Sequence, residues 1–95
     1  MRRGGAPGER MTLELYYYDE CPFCARVLAA LRDLGISSVT MRNTRRDPRN
    51  REALLALTGR TQVPCLAIDG RPMLESADIV AWLRANRDRL AAGAA

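Results

Sequence analysis

The residues in this sequence best equipped for chemistry are Cys21 and Cys24, in the stretch Asp19-Glu20-Cys21-Pro22-Phe23-Cys24. Two thiols three positions apart can form a redox couple, supply half of a metal site, or simply pack. A structural zinc site is usually built from four Cys or His ligands. This chain has 3 Cys and no His, so no metal is expected. The lack of His also removes any Cys–His nucleophile pair, and the lack of Lys removes Schiff-base chemistry. Packing alone would not require a proline beside the first thiol or placement at the very start of a helix. The residue types therefore favour a dithiol redox site over a metal site or a packing pair.

The flanking sequence shows how such a pair would be positioned. Residues 13–18, Leu-Glu-Leu-Tyr-Tyr-Tyr, are expected as a strand running directly into the motif. Val27, Leu28, Leu31 and Leu34 then recur at helical spacing until Gly35, which puts Cys21 at a helix start with Pro22 in the first turn. Unpaired backbone N–H groups and the positive end of the helix dipole favour an anion there. A thiolate on Cys21 is stabilised by that position, so Cys21 is the expected nucleophile. Cys24 lies one turn later on the same face and can reach the Cys21 sulfur; it is the expected resolving thiol.

The remaining elements follow from the same signals. Residues 37–42 are expected as a second short strand. Asp47 and Pro48 supply a cap and a first-turn proline for a helix carrying Ala53, Leu54 and Leu57, which ends at Gly59. Residues 63–68 are expected as a strand, Asp69-Gly70 as a hairpin turn and 71–74 as the partner strand. Ser76 is expected to cap one last amphipathic helix that turns Ile79, Trp82, Leu83 and Leu90 inward. This order predicts a single α/β layer structure, its first two strands parallel through a crossover helix and its last two antiparallel. Ninety-five residues allow one core. Residues 1–10 read as a disordered leader, 11–90 as the domain and 91–95 as a flexible tail.

The longest apolar runs, such as 27–31 and 79–83, are five residues long, so no membrane segment is expected. The arginine pair near the N-terminus is not followed by an apolar stretch, as a secretory signal would require. A cytoplasmic location is the expectation, and in a reducing compartment a CxxC is more often catalytic or metal-binding than a structural disulfide. The net charge of +4 is carried by arginine alone. Acids are interleaved with the arginines along most of the chain, and the densest run, Arg42 to Arg51, sets five Arg against Asp47. That pattern reads as a solvated face or a small-anion contact rather than a nucleic-acid surface.

Residues 16–31, YYYDECPFCARVLAAL, resemble the active-site region of dithiol glutaredoxins, whose motif is CP(Y/F)C after the first strand. Downstream, LTGRTQVPCLAIDGRPMLESADIVAWL is similar to the matching half of the same superfamily, and the likeness spans residues 12–90. The resemblance implies a thioredoxin-like fold with a mixed four-stranded sheet and three helices. Val63-Pro64 is similar to the cis-proline turn that faces the cysteine pair in such proteins. Glu75-Ser76 before a helix is similar to the glutathione-binding segment in the N-terminal domain of glutathione S-transferases.

Carried over residue by residue, the resemblance implies that Cys21 and Cys24 are catalytic and that the backbone of Val63 pairs with the cysteinyl part of glutathione, as an added strand does. It implies a cis bond before Pro64. Glu75 and Ser76 would hold the γ-glutamyl group, with Asp78 near its amine. Each has an ordinary alternative: Ser76 as a cap, Asp78 as a complement to the helix dipole, Val63 as core. The implied activity is that of a monomeric, glutathione-dependent thiol–disulfide oxidoreductase that reduces protein disulfides or glutathionylated proteins, with glutathione as co-substrate. One alternative is a glutathione-binding module without turnover, similar to the N-terminal domain of a glutathione S-transferase. A further one is an iron–sulfur carrier using Cys21 and glutathione as ligands, against which the proline of CPFC argues by resemblance.

Three departures from the glutaredoxin pattern carry expectations of their own. Asp19 and Glu20 stand where glutaredoxins often have a basic or small residue, and two carboxylates there oppose a thiolate by like-charge repulsion. Leu55 and Ala56 lie where glutaredoxins place a glutamine, so an arginine from Arg42, Arg45 and Arg46 is expected to take one glutathione carboxylate. Cys65, directly after the proline, is expected as a buried strand cysteine, with a third redox-active thiol as the alternative.

Overall fold

A computed structural model describes residues 11–94. The chain forms β1 (Leu13–Tyr17), α1 (Pro22–Leu34), β2 (Thr40–Asn43), α2 (Pro48–Thr58), β3 (Cys65–Ile68), β4 (Arg71–Met73), α3 (Ser76–Ala85) and α4 (Arg87–Ala94). The four strands make one mixed sheet in the order β2-β1-β3-β4. β1 runs parallel to β2 and antiparallel to β3, and β3 and β4 form the hairpin. This is the α/β architecture expected, with a thioredoxin-like arrangement.

Strand alternation distributes the core between the two faces of the sheet. Leu13 and Leu15 of β1 and Leu66 of β3 pack with Val27 and Leu31 of α1, Ile79 and Leu83 of α3, and Leu90 of α4. Tyr16, Cys65 and Ala67 belong to a second cluster with Leu54 of α2. The sheet is thus covered by α1 and α3 on one side and by α2 on the other. Leu15, Leu54, Val27, Ile79 and Leu83 are fully buried, so truncating any of them to Ala is expected to cost about 2–5 kcal/mol. Gly35 and Gly59 end α1 and α2 in the left-handed conformation, with φ of 69° and 78°, where a Cβ would be strained.

Several boundaries differ from the expectation. β2 begins at Thr40, later than 37, and β3 begins at Cys65, because Val63 and Pro64 lie beyond the last β1–β3 pair, Tyr16–Cys65. The expected single last helix is broken in two at Asn86. Its backbone, at φ −110° and ψ 11°, leaves the helical region, and its side-chain amide donates to the Trp82 carbonyl at 2.8 Å beside its own backbone N–H at 3.0 Å. Leu90 nonetheless faces inward, as expected. α4 takes in residues 91–94, part of the segment read as a tail; three of these four are alanine, the strongest helix former. The expected leader, 1–10, lies outside the described residues. Among the described residues no helix is long and apolar enough to cross a membrane.

Candidate active site

Cys21 is the N-cap of α1, with extended backbone angles and Pro22 following at the first helical position. Its Sγ accepts a hydrogen bond from the backbone N–H of Cys24 at 3.3 Å, so the sulfur does the work that a Ser or Asp oxygen does at other helix starts. The Cys21 N–H donates to the Tyr18 carbonyl at 3.3 Å, which ties the motif to the end of β1. Both thiols are free, Cys21 being 5% exposed and Cys24 fully buried. Burial, reinforced by a side-chain hydrogen bond with Cys21, pushes the Cys24 thiol up to about 12. Cys24 therefore keeps its proton and directs a backbone donor at its neighbour's sulfur, an arrangement suited to negative charge on Cys21.

The acids ahead of the motif do not stand alone. Arg46 pairs with Asp19 at 3.5 Å, and Arg45 pairs with Glu20 at 3.3 Å while its guanidinium lies 3.7 Å from the centroid of the Tyr18 ring. The charge opposition expected from Asp19 and Glu20 is thus met by two arginines from the turn after β2. Arg42 is engaged elsewhere, its Nε donating to Glu14 at 2.9 Å and its Nη1 to Asn50 at 3.2 Å. The three arginines expected as partners for a ligand carboxylate each pair with a carboxylate of their own chain, and none of them lines the groove beside the motif.

That groove has a volume of about 340 Å³ and is lined by Phe23, Gln62, Val63, Pro64, Glu75 and Ser76. It brings together the dithiol motif, through Phe23, with the turn before β3 and the start of α3. The Val63–Pro64 bond is cis, as expected, and Pro64 is buried while Val63 is half-buried. Ser76 is not the cap expected: Glu75, with φ −87° and ψ 128°, occupies the N-cap, and Ser76 is the first helical residue. No side chain among the described residues caps α3, so its first-turn N–H groups are left for water or a ligand. Asp78 lies in that first turn, exposed, and does not line the groove.

Two lining residues escaped the sequence reading. Phe23, 57% exposed with the Arg26 guanidinium 6.0 Å from its ring centroid, sits inside the motif itself, and Gln62 directly precedes Val63. Adjacency to the motifs was the only signal either one offered. Cys65 is fully buried between Tyr16, Leu54 and Ala67, and burial pushes its thiol up to about 11. It is the strand cysteine expected. Among the described residues no three His, Cys, Asp or Glu side chains gather as a metal site.

Residues 15–90 match the family of glutathione S-transferase N-terminal domains. The chain belongs to that family. No curated protein matches the sequence of this glutathione S-transferase N-terminal-type domain. An epsilon-class glutathione S-transferase from the housefly, Musca domestica, is 26% identical with a TM-score of 0.63, over 80% of this chain and 35% of the transferase. The domain therefore spans about a third of that transferase's length. Reduced glutaredoxin C1 from Populus tremula x tremuloides is 22% identical with a TM-score of 0.65, over 93% of this chain and 79% of the glutaredoxin. A buckwheat glutaredoxin solved in complex with glutathione is 20% identical, also with a TM-score of 0.65, over 93% and 84%. The glutaredoxin likenesses establish the shared thioredoxin-like fold.

Proposed function

We propose that the domain is a glutathione-dependent thiol–disulfide oxidoreductase of the glutaredoxin type. The observation that carries this reading is the groove in which Phe23 of the dithiol motif meets the cis-proline turn and the uncapped start of α3. Its volume is that of a small-molecule site. In this reading the backbone of Val63 pairs with the extended cysteinyl part of glutathione and Pro64 shapes the turn. The first-turn amides at Glu75-Ser76 take the γ-glutamyl carboxylate, and Asp78 takes the amine.

The Cys21 thiolate attacks the glutathione sulfur of a glutathionylated protein. A new S–S bond forms between Cys21 and glutathione, and the old S–S pair of electrons leaves on the protein thiolate, which takes a proton from water. The thiolate of a second glutathione then attacks the bound glutathione sulfur, releasing oxidised glutathione and restoring the Cys21 thiolate. With a protein disulfide, Cys24 loses its proton and attacks the Cys21 sulfur of the mixed disulfide. The resulting Cys21–Cys24 disulfide is reduced by two glutathiones.

The family match favours a second reading, a glutathione-binding module without turnover. One assay separates the two: reduction of a glutathionylated peptide by glutathione and glutathione reductase, for wild type, Cys21→Ser and Cys24→Ser. The oxidoreductase reading expects turnover in wild type and Cys24→Ser and none in Cys21→Ser. Turnover surviving in Cys21→Ser would overturn the mechanism, and glutathione binding by a wild type that never turns over would establish the second reading.

A further inference from the structure

The segment leading into Cys21 is held from a distance. Residues 43–46 reach across to residues 17–20 through hydrogen bonds, ion pairs and a ring contact. The Thr44 N–H donates to the Tyr17 carbonyl at 2.8 Å, and the Asn43 side-chain amide donates to Asp19 at 3.4 Å. Arg46 pairs with Asp19, Arg45 pairs with Glu20, and Arg45 also stacks on Tyr18. Asn43 organises the strap itself. Its side-chain oxygen accepts from the N–H groups of both Arg45 and Arg46 at 2.9 Å, which fixes the backbone from which the two guanidinium groups project. Among the described residues Asn43 and Thr44 are the buried polar ones, at 9% and 8% exposure, while the charged ends of the strap face water.

We propose that Arg45 and Arg46 are positioning residues for Cys21, neutralising Asp19 and Glu20 so that the helix start can favour the thiolate. The inference rests on the reading of Cys21 as the nucleophile. Its physical basis is a sum of local fields. The N-cap position and the Cys24 amide favour negative sulfur, and two adjacent carboxylates oppose it. On the elements that meet at Cys21 the charged and titratable groups are Tyr18, Asp19 and Glu20 before it and Cys24 and Arg26 on α1. Arg45 and Arg46 follow β2, and Glu75 and Asp78 stand at the start of α3. Of the arginines among the described residues, Arg45 and Arg46 are the ones paired with Glu20 and Asp19. These ion pairs are exposed and contribute little to folding.

The test is the rate of iodoacetamide alkylation of Cys21 in the reduced chain, localised by tandem mass spectrometry and measured across pH. Changing Arg45→Gln and Arg46→Gln together is expected to slow alkylation at neutral pH by about threefold to tenfold in dilute salt. The pH–rate profile moves to higher pH. The difference shrinks in concentrated salt, because the screening length falls from about 30 Å at 0.01 M to about 3 Å at 1 M. Adding Asp19→Asn and Glu20→Gln to the same chain restores the rate, which a merely structural role for the arginines would not produce. An Arg45→Gln/Arg46→Gln chain that is folded by circular dichroism, with an unchanged profile, overturns the inference, as does failure of the rescue. Should the double arginine variant not fold, Asp19→Asn/Glu20→Gln with both arginines present carries the same test: alkylation must quicken in dilute salt, and an unchanged rate overturns the inference. A wild type whose Cys21 resists alkylation at every pH would instead refute its role as nucleophile, so the two failures are distinguishable.

Discussion

Cys65 offers a quantitative check on how the interior treats a thiol. Burial between Tyr16, Leu54 and Ala67 raises it from an ordinary 9.0 to about 11, desolvation being the largest cause. The folded state therefore holds the proton more tightly than the unfolded chain does. The associated stability is whole below about pH 9 and is lost as pH rises through about 11. At about 1.4 kcal/mol for each pH unit, this single group accounts for up to about 3 kcal/mol. Cys65→Ala removes that dependence and leaves a small void, so the variant starts about 1 kcal/mol less stable at neutral pH. Urea unfolding in the presence of a reductant, at a series of pH values from neutral to about 11, reads both effects. The wild-type and variant curves are expected to meet at about pH 10 and to cross above it, the wild type becoming the less stable, with Cys24 supplying a common slope through about 12 in both. Parallel curves, with a difference independent of pH, would refute the account of Cys65 as a buried neutral thiol.

Two further substitutions separate binding from folding. Phe23→Ala removes a ring that is 57% exposed and lines the groove. Stability by urea unfolding should change by under about 0.5 kcal/mol, while the glutathione KM in the deglutathionylation assay rises several-fold. Arg42→Ala should do the reverse. It deletes the bonds to Glu14 and Asn50, lowering stability by about 1 kcal/mol, and leaves glutathione affinity by calorimetry unchanged.

What the sequence determined alone is what a few consecutive residues decide. Cys21 at the start of α1 was legible because a cap is local: Pro22 pre-sets the first turn, and the Cys21 sulfur needs only the N–H three residues on. Asp47 capping α2, through the Arg49 N–H at 2.9 Å, was legible for the same reason. The break at Asn86 was not, because the inward periodicity from Ile79 to Leu90 runs straight through it while the Asn86 backbone leaves the helical angles. Nor was Glu75 as the cap of α3, since Ser76 carries the stronger capping signal and the backbone angles at 75 come from the exit of β4. Only the tertiary structure decided the strand order, the joining of Phe23, Gln62, Val63, Pro64, Glu75 and Ser76 in one groove, and the partners of the acids before Cys21. Glu20 and Arg45 are 25 positions apart and meet because β1 and β2 lie side by side and parallel, delivering the turns that follow them to the same edge. Local sequence can place a thiol at the end of a helix, but the charge around it is set by segments that only the sheet brings together.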